Sequence, residues 1–100
     1  MRLTPEQVHV ITQATHDLLG PHARVRLFGS RLDDSVKGGD IDLLVQAPEP
    51  VEKRLWIAAQ ISARVQRSLG ERRIDVLLVD PGTALQPVHL HALRSGLLLN

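Results

Sequence analysis

Apolar and polar residues follow two different periods along this chain. Apolar residues recur every three or four positions over about 4–19 and 51–69, the spacing of one face of an amphipathic helix. The segments 23–28, 41–45 and 74–79 are short apolar runs, and the first of them alternates apolar with charged residues. The pattern predicts two long helices and three strands.

Local signals place the ends of several elements. Thr4, followed by Pro5 and Gln7, matches a capping box with proline at the first helical position. Gly20 gives the first helix a stop signal. The last segment, about 84–98, reads as a short helix followed by an extended end.

Strands that alternate with helices indicate an α/β fold, with a small mixed sheet covered by helices. The helix between the second and third strands fits a crossover within such a sheet. One hundred residues form one domain, 1–100, which is too small to carry a second substrate-binding lobe. Trp56 and Ile57 lie beside the apolar stripe of the second long helix, and we expect both to extend the core; the alternative is that they contact a partner helix.

Composition argues against membrane, secreted and nucleic-acid-binding classes of protein. The chain is 43% hydrophobic and 23% charged, and no apolar stretch approaches the length of a membrane span. The absence of cysteine and of an apolar leader favours a cytoplasmic location. A net charge of +1 is well short of the basic balance typical of nucleic-acid binding, so we expect no nucleic-acid partner.

The candidate site residues lie at the end of the first predicted strand and at the start of the second. Gly29 and Ser30 end the first strand, and Asp40 and Asp42 stand at the head of the second, with Ile41 between them. Since a strand repeats every two residues, the two carboxylates project from one face. At about 4 Å such charges repel by roughly 4 kcal/mol at an effective dielectric near 20. A divalent cation such as Mg²⁺ relieves this repulsion, and a Gly-Ser turn offers N–H and hydroxyl groups to phosphates.

A third acid interrupts the last apolar strand. If Asp75 faces the same way on a neighbouring strand, it completes a three-carboxylate cluster. Alternatively, Arg72 or Arg73 neutralises it and its role is structural. The Asp-x-Asp pair has a similar structural alternative, and Arg31 is either a phosphate contact or a solvated side chain. Asp80, before a Pro-Gly pair, reads as a turn residue outside the site.

Three segments, 27–31, 39–45 and 73–76, resemble the signature segments of the DNA polymerase beta nucleotidyltransferase superfamily. The chain is most similar to its minimal nucleotidyltransferase branch, whose members are about this size. The resemblance implies a single-domain fold like the polymerase beta palm. The chain departs from the commonest motif at Asp33 and Asp34, where a basic residue and a glycine are frequent, and at Gly39, where serine is common.

The resemblance also implies roles for individual residues. It assigns catalysis and the binding of two Mg²⁺ ions to Asp40, Asp42 and Asp75. It assigns the triphosphate of the ATP donor to Gly29 and Ser30, and Arg31, which follows them, is a further candidate for this binding site.

Members of this branch are similar to antitoxins that transfer AMP to a tyrosine of a HEPN-type RNase toxin. The resemblance thus implies a protein adenylyltransferase that forms a hetero-oligomer with such a toxin. Two alternatives stay open: a non-catalytic binding protein that neutralises its partner by occlusion, and a nucleotidyltransferase that acts on a small molecule.

Overall fold

A computed structural model describes residues 3–29, 40–70 and 72–100, and these ranges contain three helices and four strands. In chain order the elements are α1 (Pro5–Leu19), β1 (Arg24–Phe28), β2 (Ile41–Gln46), α2 (Arg54–Leu69), β3 (Ile74–Val79), α3 (Pro87–Ser95) and β4 (Leu97–Leu98). The two long helices, the three core strands and the short C-terminal helix are confirmed. Among these elements no helix combines the length and the apolar character needed to cross a membrane.

The four strands form one mixed sheet in the order β3-β2-β1-β4. Strand β2 pairs with β3 in parallel, whereas β1 runs antiparallel to both β2 and β4. A parallel pair needs a long crossover, which α2 supplies between β2 and β3. The predicted mixed α/β sheet is therefore confirmed.

The two faces of the sheet are covered unequally. The face under α1 and α2 carries the main core, in which alternate residues of β2, Ile41, Leu43 and Val45, are fully buried. The opposite face carries a smaller cluster beneath α3. Its buried members are Phe28, Leu44, Val79 and Ala92. The lightly covered face is thus the one on which a polar site has room.

Helix α1 begins as its sequence predicts. The Thr4 hydroxyl accepts the Gln7 N–H at 3.1 Å, and the Gln7 side chain accepts the Thr4 N–H at 2.9 Å. These reciprocal bonds satisfy backbone donors that the first helical turn leaves without partners. The predicted capping box is confirmed.

Two details of α2 differ from the prediction. The helix begins at Arg54 and not at 51, because the N-cap residue Lys53 has a non-helical backbone, with φ −119° and ψ 69°. The segment before it is bonded to the end of β3, since the Val51 N–H donates to Asp80 Oδ2 at 2.8 Å. Trp56 is 58% exposed, so the expectation that it joins the core is wrong. It lies about 200° around the helix from buried Ala58. Ile57 packs against the core as expected.

The C-terminal residue is fastened to β1 by its side chain. Asn100 Oδ1 accepts the Val25 N–H at 2.9 Å, and Asn100 Nδ2 donates to the Ala23 carbonyl at 2.8 Å. The same amide nitrogen lies 2.9 Å from His16 Nε2 on α1. The side chain therefore continues the pairing of β1 beyond β4 and links the sheet edge to α1.

Asp80 is confirmed as a turn residue, and it joins three parts of the fold. Its carboxylate accepts the N–H groups of Val51 and Gly82 and the Thr83 hydroxyl, and it lies 3.7 Å from Arg54 Nη1. The hydrogen bond from Val51, followed by those from Thr83 and Gly82, holds the pKa of Asp80 below its ordinary value despite partial desolvation. The charged form is therefore the one that stabilises the fold.

We expect Asp80→Asn to lower the urea midpoint of unfolding at neutral pH. A lowered folded-state pKa adds stability above the unfolded-state pKa, and this contribution is lost as the pH falls through the folded-state pKa. The difference from wild type should accordingly shrink in acid. Urea titrations at several pH values, followed by circular dichroism, measure it. The control is Glu52→Gln, which removes one negative charge at an exposed position before α2 and should leave the midpoint nearly unchanged.

Candidate active site

The pairing of β2 with β3 brings two of the predicted acids together. Asp42 and Asp75 are Cα partners in the parallel ladder. Partners in adjacent strands project from the same face, about 4.8 Å apart along the sheet. Ile41 and Ile74, one position earlier, face the α1 and α2 core. The prediction that Asp75 shares a face with Asp42 is confirmed.

Gly29 closes this site from the β1 side. Its φ is +78°, a conformation that side-chain-bearing residues rarely adopt. A Cβ built on Gly29 would lie 2.6 Å from Asp42 Oδ2, so the carboxylate rests directly against the backbone. Glycine is needed here both for backbone conformation and for space.

The structure does not place the other predicted site residues beside Asp42 and Asp75. Asp40 is exposed and lies just before β2, so strand parity does not fix where its side chain points. Across residues 3–29, 40–70 and 72–100, no three His, Cys, Asp or Glu side chains are grouped as a metal site requires. Ser30, Arg31 and the motif departures at residues 33, 34 and 39 lie outside the described residues. Their predicted roles, and that of Asp40, stay predictions.

The sequence model of the family described as nucleotidyltransferase domain matches residues 11–88. This span is most of the chain and includes Gly29, Asp40, Asp42 and Asp75. The chain belongs to the nucleotidyltransferase domain family. No curated protein matches the chain. Its fold, a small single α/β domain with a four-stranded mixed sheet, is consistent with a nucleotidyltransferase fold.

In this nucleotidyltransferase domain Asp75 has a cationic neighbour. Arg73 Nε donates to Asp75 Oδ1 at 3.3 Å, and the two side chains are 71% and 46% exposed. The sequence left open whether Arg72 or Arg73 neutralises Asp75. Strand parity favours Arg73, because residues two positions apart share a face of the strand. An exposed ion pair of this kind contributes at most about 1 kcal/mol. A cation that binds the Asp75 carboxylate more strongly can therefore displace Arg73.

The donor set fits a hard divalent cation. Mg²⁺ in proteins takes one or two carboxylates together with water and substrate phosphates, and does not need a full protein cage. Asp42 and Asp75 supply two such carboxylates on a rigid sheet, and Asp75 is open to solvent. The pair therefore has the chemistry to hold Mg²⁺ against a nucleotide.

We expect Gly29→Ala to reduce nucleotidyl transfer by about 10-fold or more, because the added methyl group displaces the Asp42 carboxylate. Gly20→Ala is the matched control: Gly20 also has a positive φ, of +89°, but a Cβ added there would have nothing within 4 Å. Each variant should lose about 1–3 kcal/mol of stability through backbone strain. Transfer of labelled nucleotide and thermal melting separate the two effects. Equal transfer by both variants would contradict the role assigned to Gly29.

Proposed function

We propose that this protein is a Mg²⁺-dependent adenylyltransferase that transfers AMP from ATP to a tyrosine of a partner protein. The proposed partner is a HEPN-type RNase toxin, which the modification inactivates. Membership of the nucleotidyltransferase family supports the reaction class. The observation that carries the proposal is the pairing of Asp42 with Asp75 beside Gly29. The cytoplasmic location stays a prediction.

Each residue of the site has a part in this proposal. Asp42 and Asp75, with Asp40, hold two Mg²⁺ ions, which when bound neutralise charge on the triphosphate and on the departing pyrophosphate. The backbone at Gly29, with Ser30 and Arg31, holds the β- and γ-phosphates.

The chemical step is an in-line displacement. The tyrosine hydroxyl oxygen forms a bond to the α-phosphorus, and the bond from that phosphorus to the bridging oxygen of pyrophosphate breaks. The hydroxyl proton passes to the Asp75 carboxylate, which acts as general base and returns the proton to solvent. Because the Asp75 side chain is 46% exposed, a side chain of another protein can reach it.

The composition of the chain supports an acceptor on another molecule. It contains no tyrosine, so a tyrosine acceptor belongs to a partner. Leu90, Leu97 and Leu98 are between 43% and 56% exposed near the C-terminus, so apolar side chains there are accessible to a protein. Both observations support a protein partner.

A second candidate is a binding protein that blocks its partner without catalysis. The ion pair of Arg73 with Asp75 favours it, since one metal-binding carboxylate already has a cationic neighbour. The exposed leucines near the C-terminus serve this candidate equally well.

We expect Asp42→Asn and Asp75→Asn each to lower AMP transfer by about 100-fold or more, since each removes a carboxylate that would hold the Mg²⁺ on which the reacting phosphate depends. The chain is purified with the protein encoded beside it and incubated with Mg²⁺ and each nucleoside triphosphate. Intact mass spectrometry of both chains then measures transfer. Asp17→Asn, an exposed acid on α1 that pairs with Arg64, is the control and should retain transfer.

The outcomes separate the candidates. AMP added to a tyrosine of the neighbour, and lost in Asp42→Asn, supports the adenylyltransferase. A stable complex that gains no mass, with neutralisation retained in Asp42→Asn, supports occlusion. Transfer from another nucleotide would keep the reaction class but contradict ATP as donor.

A further inference from the structure

The outer edge of β3 has no neighbouring strand among the described residues, because β3 is the last strand of the sheet order. The Arg73 carbonyl accepts the Ile41 N–H from β2, so odd-numbered residues here direct their backbone groups toward β2. Even-numbered residues direct theirs away. The N–H and C=O groups of Val76 and Leu78 therefore point out of the sheet.

Helix α2 runs alongside this edge. Arg54 at its start lies beside Asp80 after β3, and the Ser62 hydroxyl donates to the outward carbonyl of Ile74 at 2.7 Å. The helix is thus antiparallel to β3. The side of α2 that carries Ser62 also carries Leu55 and Ala59. Both are exposed, and Leu55 is 88% exposed.

The sequence of β3 lacks the residues that usually prevent strand pairing, and α2 bonds the edge at its start, where Ser62 donates to Ile74. Strand β3 has six residues, Ile74–Val79, with no proline, lysine or arginine, and Asp75 is its one charged residue. Val76, Leu77 and Leu78 are all partly exposed. Natural sheets block free edges with lysine, proline, bulges or a covering element. An edge this long and apolar is suited to a partner strand.

We propose that a second copy of this chain pairs with this edge, β3 against β3, about a two-fold axis at Leu77. Val76 of each copy then exchanges N–H and C=O bonds with Leu78 of the other. Charge favours the antiparallel arrangement, because the strand has Arg72 and Arg73 before its start and Asp80 after its end. Parallel pairing would set Arg72 and Arg73 of one copy beside those of the other, whereas antiparallel pairing sets them beside Asp80, whose carboxylate also lies near Arg54 of its own copy.

The helices are compatible with this pairing. Since Arg54 lies near Asp80 and Ser62 lies near Ile74, the part of α2 level with Leu77 is close to Ala59. The two α2 helices then meet at Ala59, where a small side chain permits close approach, and each Leu55 packs near Ser62 of the other copy. The assembly has an eight-stranded sheet with both Asp42 and Asp75 pairs on one face. The proposal does not depend on the acceptor of the reaction.

Sedimentation equilibrium tests the helix contact. Wild type should be a dimer, and Ala59→Glu should raise its dissociation constant by about 10-fold or more, because two like charges meet at the axis. Gln60→Glu adds the same charge one position away on the helix and should leave dimerisation unchanged. Mixing Ala59→Glu with Ala59→Lys should restore it. A folded wild-type monomer at the highest soluble concentration, or a dimer that Ala59→Glu does not weaken, would overturn the proposal.

Amide hydrogen exchange tests the strand contact in the unmodified protein. The N–H groups of Val76 and Leu78 should gain protection as protein concentration rises, whereas those of Asp75 and Leu77, bonded to β2, should be protected at every concentration. Exchange at Val76 and Leu78 that is independent of concentration would contradict pairing between copies. Protection of these amides that appears only after a different protein is added would also contradict it, and would assign the edge to that protein.

Discussion

The parallel ladder between β2 and β3 is the interaction on which the site depends. Its register sets Asp42 beside Asp75, and burial of Ile41 and Ile74 under the helices holds that register. A slip of one residue would turn Asp75 into the core and expose its apolar neighbours. Hydrophobic burial on one face of the sheet therefore positions the carboxylates on the other.

Position along the strands decides how the two acids are accommodated. Asp42 and Asp75 stand near the starts of their strands, whereas Leu44 and Val79, farther along the same face, are buried with Ala92 of α3. The site thus occupies the part of the face that α3 leaves open. Carboxylates kept near water carry a smaller desolvation cost than buried ones, and they remain accessible to cations and phosphates.

Three aspartates of this fold illustrate how surroundings determine role. Asp80 has its acceptor capacity filled by backbone N–H groups and a hydroxyl, so it serves the fold. Asp17 pairs with Arg64 and joins α1 to α2 at the surface. Asp75 has an exposed arginine neighbour and lies beside Asp42, an arrangement that a metal ion or substrate can alter. The residue type is shared, but the partners differ.

Much of the fold was predictable because local periodicity reports which residues face the core. The capping box at Thr4, the helix and strand types, and the shared face of Asp42 and Asp75 all follow from spacing along the chain. The signature segments around Gly29 and Asp42 also indicated the nucleotidyltransferase family. The rotation of Trp56 away from the core was within reach of the same periodicity, because its angle from Ala58 follows from the helical repeat.

Other features depend on residues far apart in the chain, so only the tertiary structure decided them. Asp80 accepts the Val51 N–H from the segment before α2, and the Asn100 side chain accepts the Val25 N–H of β1. Strand order likewise decided that Asp75 meets Asp42. The sequence by itself determined the elements and their apolar faces, because these arise from neighbours along the chain. Register, strand order and the partner of each acid required the folded chain, because they arise from contacts between distant segments.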